Sequence, residues 1–131
     1  MITNRSMPPG VIIPELPYND EGTAAVWLCQ TFGFKERLRI GNHRCQLTFG
    51  EGSIVVVERK ESGTSSVLVH VDDVDGHYER AKQFGARIIG LPTDYPFGER
   101  QYTVEDLGGH RWTFSQTIAD VDPATWGGRL A

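Results

Sequence analysis

The chain has 131 residues, enough for one domain with a sizeable core. Its 13 basic and 17 acidic residues leave a formal charge of −4 and no basic run to track phosphates, which argues against a nucleic-acid partner. No stretch approaches the roughly 20 apolar residues needed to span a bilayer, and residues 1–10 lack the apolar run of a signal peptide. Cys29 and Cys45 have no metal-type spacing, so two reduced, buried thiols in a cytoplasmic protein are expected.

Val11 to Leu16 is apolar and β-branched and predicts a strand. Asp20 is placed as a helix N-cap. Ala25, Leu28, Cys29 and Phe32 then fall on one helical face, and Gly33 stands where a left-handed C-cap belongs. Three strands follow, Lys35 to Ile40, His43 to Phe49 and Ser53 to Arg59, the first two joined by a hairpin turn at Gly41-Asn42. In the middle strand Cys45, Leu47 and Phe49 alternate with Arg44, Gln46 and Thr48, so one face is core and the other polar. Glu61 to Ser65 is polar and reads as a linker.

Ser66 to Val71 predicts the next strand, and Asp72 or Asp73 caps a helix whose apolar face is Val74, Tyr78 and Ala81, with Phe84 near its end and Gly85 ending it. Arg87 to Gly90 reads as a short strand. A Pro-rich segment, Leu91 to Gly98, follows as a loop carrying Tyr95 and Phe97. Glu99 to Glu105 and Arg111 to Gln116 form a hairpin across Asp106 to His110. In the tail, Trp126 is read as an anchor against the domain.

This order is one unit written twice. Asp20 to Gly33 spans 13 positions and Asp73 to Gly85 spans 12; the next intervals, Gly33 to Gly50 and Gly85 to Gly108, are 17 and 23. The surplus falls on the Pro-rich segment, which has no partner in the first half. Each copy reads β-α-β-β-β: module one at about 11–60, module two at about 66–116, and a tail at 117–131. The expected class is α+β, with eight strands in a cupped mixed sheet, helices on its outer face and a small-molecule cavity inside.

The paired βαβββ pattern, the string VDDVDGHYERAKQFGA and the late string FGERQYTVEDLGGHRWTF resemble the vicinal oxygen chelate superfamily of glyoxalase I, bleomycin-resistance proteins and extradiol dioxygenases. The nearest branch is similar to PhnB-like or bleomycin-resistance-like proteins. Gly98, Arg100, Tyr102, Asp106, Gly109-His110 and Trp112 carry the resemblance most specifically, and it covers about residues 11–116. It implies a homodimer. It also implies a divalent metal in the metal-using members, held by His or Glu at four inward positions. Here those positions fall on Ile13, Val57, Ser66 and Thr113, so the metal ligands are not expected. Glu58, one residue off, and His70 are the alternative ligands for a metal-dependent glyoxalase-like lyase or isomerase.

The candidate ligand-binding residues are His70, Ser66, Arg111, Thr113, Gln46, Tyr102, Tyr95 and Phe97. His70 shares strand parity with Ser66 and Leu68, and it is the one candidate for acid–base chemistry. Arg111 shares parity with Thr113 and Ser115; it either grips a ligand carboxylate or pairs with Glu99 or Glu105. Tyr102 either closes the cavity or packs in the core. Arg44, Gln46 and Thr48 form either a cavity lining or a solvated face. Tyr95 and Phe97 form a lid, a dimer contact, or a cover over the sheet edge. His43 and His77 are expected to be solvated, and His110 structural. Trp112 and Phe114 belong under the helices. Three readings stand: a metal-free small-molecule binder that sequesters an aromatic or amphiphilic compound, a metal-dependent lyase, and a non-catalytic partner module.

Overall fold

The computed structural model describes residues 3–60 and 63–130, so Glu61 and Ser62 of the expected linker lie outside the described residues. The chain divides into two compact units at Ser65/Ser66. The first holds β1 (Glu15–Tyr18), α1 (Glu21–Phe32), β2 (Lys35–Ile40), β3 (Arg44–Phe49) and β4 (Gly52–Glu58). The second holds β5 (Ser66–His70), α2 (Val74–Gln83), β6 (Arg87–Tyr95), β7 (Glu99–Glu105) and β8 (Arg111–Thr117), with a 3-10 turn at Pro123–Trp126. The eight strands are hydrogen-bonded as two four-stranded mixed sheets, ordered β1-β4-β3-β2 and β5-β8-β7-β6. The two orders are the same order. In each unit the first strand runs parallel to the last, and a helical crossover leads to two antiparallel hairpins.

The helices start alike because the same chemistry starts them. Asp20 accepts the Thr23 N–H at 3.0 Å, and Asp73 accepts the Gly76 N–H at 3.1 Å. Each satisfies one of the donors a helix start leaves unpaired. Gly33 ends α1 in the left-handed conformation expected for it. On α1, Ala24, Ala25, Leu28 and Phe32 are buried against Leu16, Tyr18, Leu47 and Val56, while Cys29 is only half-buried. On α2, Val74 and Ala81 are buried over Tyr102, Val104, Trp112 and Phe114, but Phe84 is exposed.

Several boundaries differ from the sequence reading. β1 begins at Glu15, and Val11 and Ile12 lie outside it, exposed despite their β-branched chains. The alternation that matters is Leu16 and Tyr18, buried toward α1, against Glu15 and Pro17. The turn after β2 takes in His43 as well as Gly41-Asn42, because the β3 ladder starts at Arg44. The largest difference is β6. The segment expected to loop from Leu91 continues the strand to Tyr95, paired through Thr93↔Gln101 and Tyr95↔Glu99. Pro92 is tolerated because β6 is an edge strand, where a missing N–H costs no ladder bond, and two register shifts absorb the extra residues.

The turn into β7 depends on Gly98. Its φ is +85°, and a Cβ there would run into the Ala119 carbonyl and the Val121 side chain. Its carbonyl accepts from Ile118 and Ala119. Gly98→Ala is expected to destabilise the protein by about 2 kcal/mol or more. The left-handed backbone alone costs about 1–2 kcal/mol, and the overlap is with backbone, which cannot swing aside. Urea unfolding reads the shift; a midpoint unchanged from wild type would mean that the tail carbonyl moves away freely.

Candidate functional site

Strand register decides which side chains share the face of the second sheet turned away from α2. Across β5, β8, β7 and β6 one row is His70, Ser115, Gln101 and Thr93. Beside it runs Leu68, Thr113, Thr103 and Gly90, then Ser66, Arg111, Glu105 and Arg87. Past the His70 row, Thr117, Glu99 and Tyr95 complete the face. Of the expected ligand residues, His70, Ser66, Arg111, Thr113 and Tyr95 are therefore brought onto one surface.

Its polar groups are held by one another. The Ser115 hydroxyl donates to Glu99 Oε1 at 2.7 Å and accepts from Gln101 Nε2 at 3.1 Å. Thr103 and Thr113 share a hydrogen bond of 3.1 Å. The Ser115 bond holds the Glu99 carboxyl below the usual carboxylate range, helped by Thr117 and by the nearby His70. Glu105 takes Arg87 as its ion-pair partner at 3.0 Å. With Glu99 engaged by Ser115 and Glu105 by Arg87, neither pairs with Arg111, one of the two alternatives for that residue; Arg111 is exposed and forms no ion pair among the described residues. Apolar groups flank this polar row: Leu68 is 66% exposed and Tyr95 42%. His70 and Ser66 are also exposed.

Tyr95 begins an aromatic ladder. Its ring stacks on Phe97 at 5.4 Å, and Phe97 meets Trp126 at 5.5 Å. The tail thus anchors through Trp126 as expected, and it does so on the β6–β7 turn. Phe97 is half-buried between the two rings.

Other expected site residues fall elsewhere. Tyr102 is a core residue, 1% exposed, under α2; its hydroxyl meets His77 Nδ1, and burial pushes its pKa up. It is on the wrong face of β7 to touch a ligand beside Thr103. His77, expected to be solvated, is half-buried with its ring 3.9 Å from that of Phe114. The apolar face of α2 is wider than the i, i+4 pattern suggested. Glu58 lies on the helix side of β4, where its carboxylate accepts the Glu21 N–H at 3.3 Å. That is a helix-start contact, on the side of the sheet opposite the inward positions. His110 is buried and structural, as expected.

The four positions that the resemblance assigns to a metal do not supply a ligand set. Ile13 and Val57 have no donor atom, and the Thr113 hydroxyl is engaged by Thr103. Among the described residues, no group of three or more His, Cys, Asp or Glu side chains is placed to hold a metal ion. Burial pushes the Cys45 thiol up to about 12 and raises that of Cys29 as well.

In the first sheet, the face turned away from α1 carries Arg44, Gln46 and Thr48 with Ser53, Val55 and Val57. It is neither a bare lining nor a solvated face, because residues 5–9 lie along it. Gln46 Nε2 donates to the Ser6 carbonyl at 2.9 Å, and Ser53 Oγ donates to the Pro9 carbonyl at 2.6 Å. Arg37 Nη1 donates to Gln46 Oε1 at 2.6 Å and Nη2 to the Arg5 carbonyl at 2.9 Å. A bulge between Glu36 and Leu38 turns Arg37 onto this face. The amide of Gln46 is thus spent within the protein. On the helix side, Arg39 pairs with the fully buried Glu21 at 2.7 Å and with Glu36 at 2.8 Å. Neither contact is visible in the sequence pattern. A shallow groove of about 490 Å³ on α1, lined by Gly22, Thr23, Val26, Trp27 and Gln30, takes in none of the expected residues.

The sequence model of the Glyoxalase/Bleomycin resistance protein/Dioxygenase superfamily matches residues 14–114. The chain belongs to that superfamily. Its structure is similar to that of TioX from Micromonospora sp. ML1, with 35% identity and a TM-score of 0.77 over 83% of this chain and 99% of that one. It shares the fold of TnmS3, an antibiotic binding protein from Streptomyces sp. CB03234, at 24% identity and a TM-score of 0.71 over 82% of this chain and 95% of that one. An uncharacterized protein of Mycobacterium bovis is 34% identical over 62 residues, 46% of this chain and 41% of that protein. The chain spans about two fifths of the length of such curated relatives. Within the superfamily frame, the residues that carried the resemblance prove to be scaffold. Arg100 ties Asp75 to Asp94, Asp106 collects three N–H groups, and Gly98 and Gly109 hold positive φ.

Proposed function

We propose that this superfamily member binds a small aromatic or amphiphilic compound on the face of the second sheet turned away from α2. It acts by sequestering that compound, as a cytoplasmic homodimer without a metal at the four family positions. The observation that carries the reading is the placement of exposed Leu68 and Tyr95 around a polar row, Glu99–Ser115–Gln101, fixed by its own hydrogen bonds. Small-molecule sites are mostly apolar with a few well-positioned polar groups. Groups already oriented lose little entropy when a ligand arrives. His70 and Arg111 stand on the same face as contacts for an anionic or hydrogen-bonding substituent. The function of TnmS3, an antibiotic binding protein of the same fold, is in line with this reading. The donor-poor set Ile13, Val57, Ser66 and Thr113 favours binding over lyase chemistry.

The test is a fluorescence titration of the full chain with 1-anilinonaphthalene-8-sulfonate, an amphiphilic aromatic probe. Saturable binding is expected, weakened tenfold or more by Leu68→Asp, since placing a carboxylate in the apolar strip removes about 1.4 kcal/mol or more. Phe84→Asp, at an exposed apolar site on the C-terminal cap of α2, serves as the control. Equal weakening by both variants, or binding that never saturates, overturns the site. Stoichiometric metal in protein purified without chelator would overturn the metal-free part alone.

A further inference from the structure

In the first unit, a segment near the start of the chain crosses the sheet. Residues 5–9 cross the side of that sheet away from α1, and among the described residues the hydrogen bonds between them and the sheet are of one kind. A side-chain donor of the sheet, on Arg37, Gln46 or Ser53, reaches a main-chain carbonyl of the strap, at Arg5, Ser6 or Pro9. The three donors stand on β2, β3 and β4 respectively, so they form a line across the strands. The strap answers with acceptors only. Pro8 and Pro9 have no N–H to give to a strand ladder. Its amides turn inward instead, Ser6 N–H to the Asn4 side chain at 3.0 Å and Met7 N–H to the Asn4 carbonyl at 3.3 Å.

The donors are built for the purpose, since Gln46 and Ser53 are 5% and 6% exposed. Buried amide and hydroxyl groups need partners, and Arg37 fixes the Gln46 amide by holding its oxygen at 2.6 Å. That leaves Nε2 aimed at the strap. The strap itself is mostly exposed. Pro8 is buried, but Arg5, Ser6 and Met7 are exposed, as are Val11 and Ile12 beyond them. A surface whose donors are fixed and whose occupant is mostly exposed suits exchange.

We infer that the line Arg37–Gln46–Ser53 recognises an extended, proline-containing peptide through its carbonyl groups, and that residues 5–9 are its resident competitor. An external chain of the same kind binds only when the strap lifts, so the tethered segment sets the threshold for occupancy.

Two measurements on the full chain test this. The first is the rate of tryptic cleavage after Arg5, followed by mass spectrometry. Gln46→Leu and Ser53→Ala are each expected to accelerate it about fivefold, the opening gained when one such bond is lost. The second uses an acetylated, amidated peptide of sequence Asn4–Gly10 added in trans, read by the NMR shift of the Gln46 side-chain amide. Pro8→Asp, which lifts the strap and leaves all three donors in place, is expected to respond at tenfold lower peptide concentration than wild type. Unchanged helix amide protection in that variant verifies its fold. Cleavage rates equal to wild type in both donor variants overturn the tether. No response of Pro8→Asp by about 10 mM peptide, or the same response as wild type, overturns the recognition surface.

Discussion

Replacing Asp106 by alanine is expected to destabilise the protein by about 3–5 kcal/mol. The carboxylate is 5% exposed and accepts three hydrogen bonds: from the Gly108 N–H at 2.9 Å, the His110 N–H at 3.0 Å and the Trp112 indole N–H at 2.9 Å. Bonds to a charged acceptor contribute about 1.5–3 kcal/mol each, and a buried donor left without a partner costs about 1–3 kcal/mol. The three do not add in full, because Gly108 can turn to water. Trp112 and His110 cannot, since both are fully buried. Asp106→Asn is expected to fall between, keeping one oxygen for the turn and setting an amide against the indole N–H. Urea midpoints at constant slope measure both. A loss under about 1 kcal/mol for alanine would show that the turn holds without its carboxylate.

A comparable loss, about 3 kcal/mol, is expected in the first unit from Arg39→Ala. Both Glu21 oxygens accept from Arg39 Nη1, at 2.7 and 2.8 Å, and the Glu21 side chain is completely buried. Removing one partner of a buried pair leaves the other charged and dry, which costs about 3–5 kcal/mol. The lower end applies because Arg39 itself is one-third exposed, so water reaches the vacated space. Removing both charges, as Glu21→Gln with Arg39→Met, is expected to recover more than half of the loss. If the double variant is no more stable than Arg39→Ala, packing of the arginine stem rather than its charge supports β2.

Much of this architecture was legible in the amino-acid order. Asp20, Gly33, Asp73 and Gly85 mark the helices of both copies because caps are local chemistry. Strand parity on β8 separated Trp112 and Phe114 from Arg111, Thr113 and Ser115, and the structure sorts them the same way. The misreadings share a cause, since each depends on a partner distant in sequence. Val11 and Ile12 look like strand, but β4 offers them no partner beyond Pro14. Leu91 to Tyr95 looks like loop, yet β7 pairs with it. Glu58 looks available until Glu21 occupies it. Gln46 looks like a cavity wall until Ser6 arrives from 40 residues away.

The alternation along β8 has a bearing on how such proteins diversify. Residues 112 and 114 fix the interior under α2, whereas 111, 113 and 115 belong to the opposite face of the sheet, and the two sets interleave one for one. Affinity can therefore be rewritten at every second letter of a strand while the intervening letters keep the fold. The features that make this chain recognisable as kin and the features that would decide what the proposed face captures are, to that extent, separately heritable.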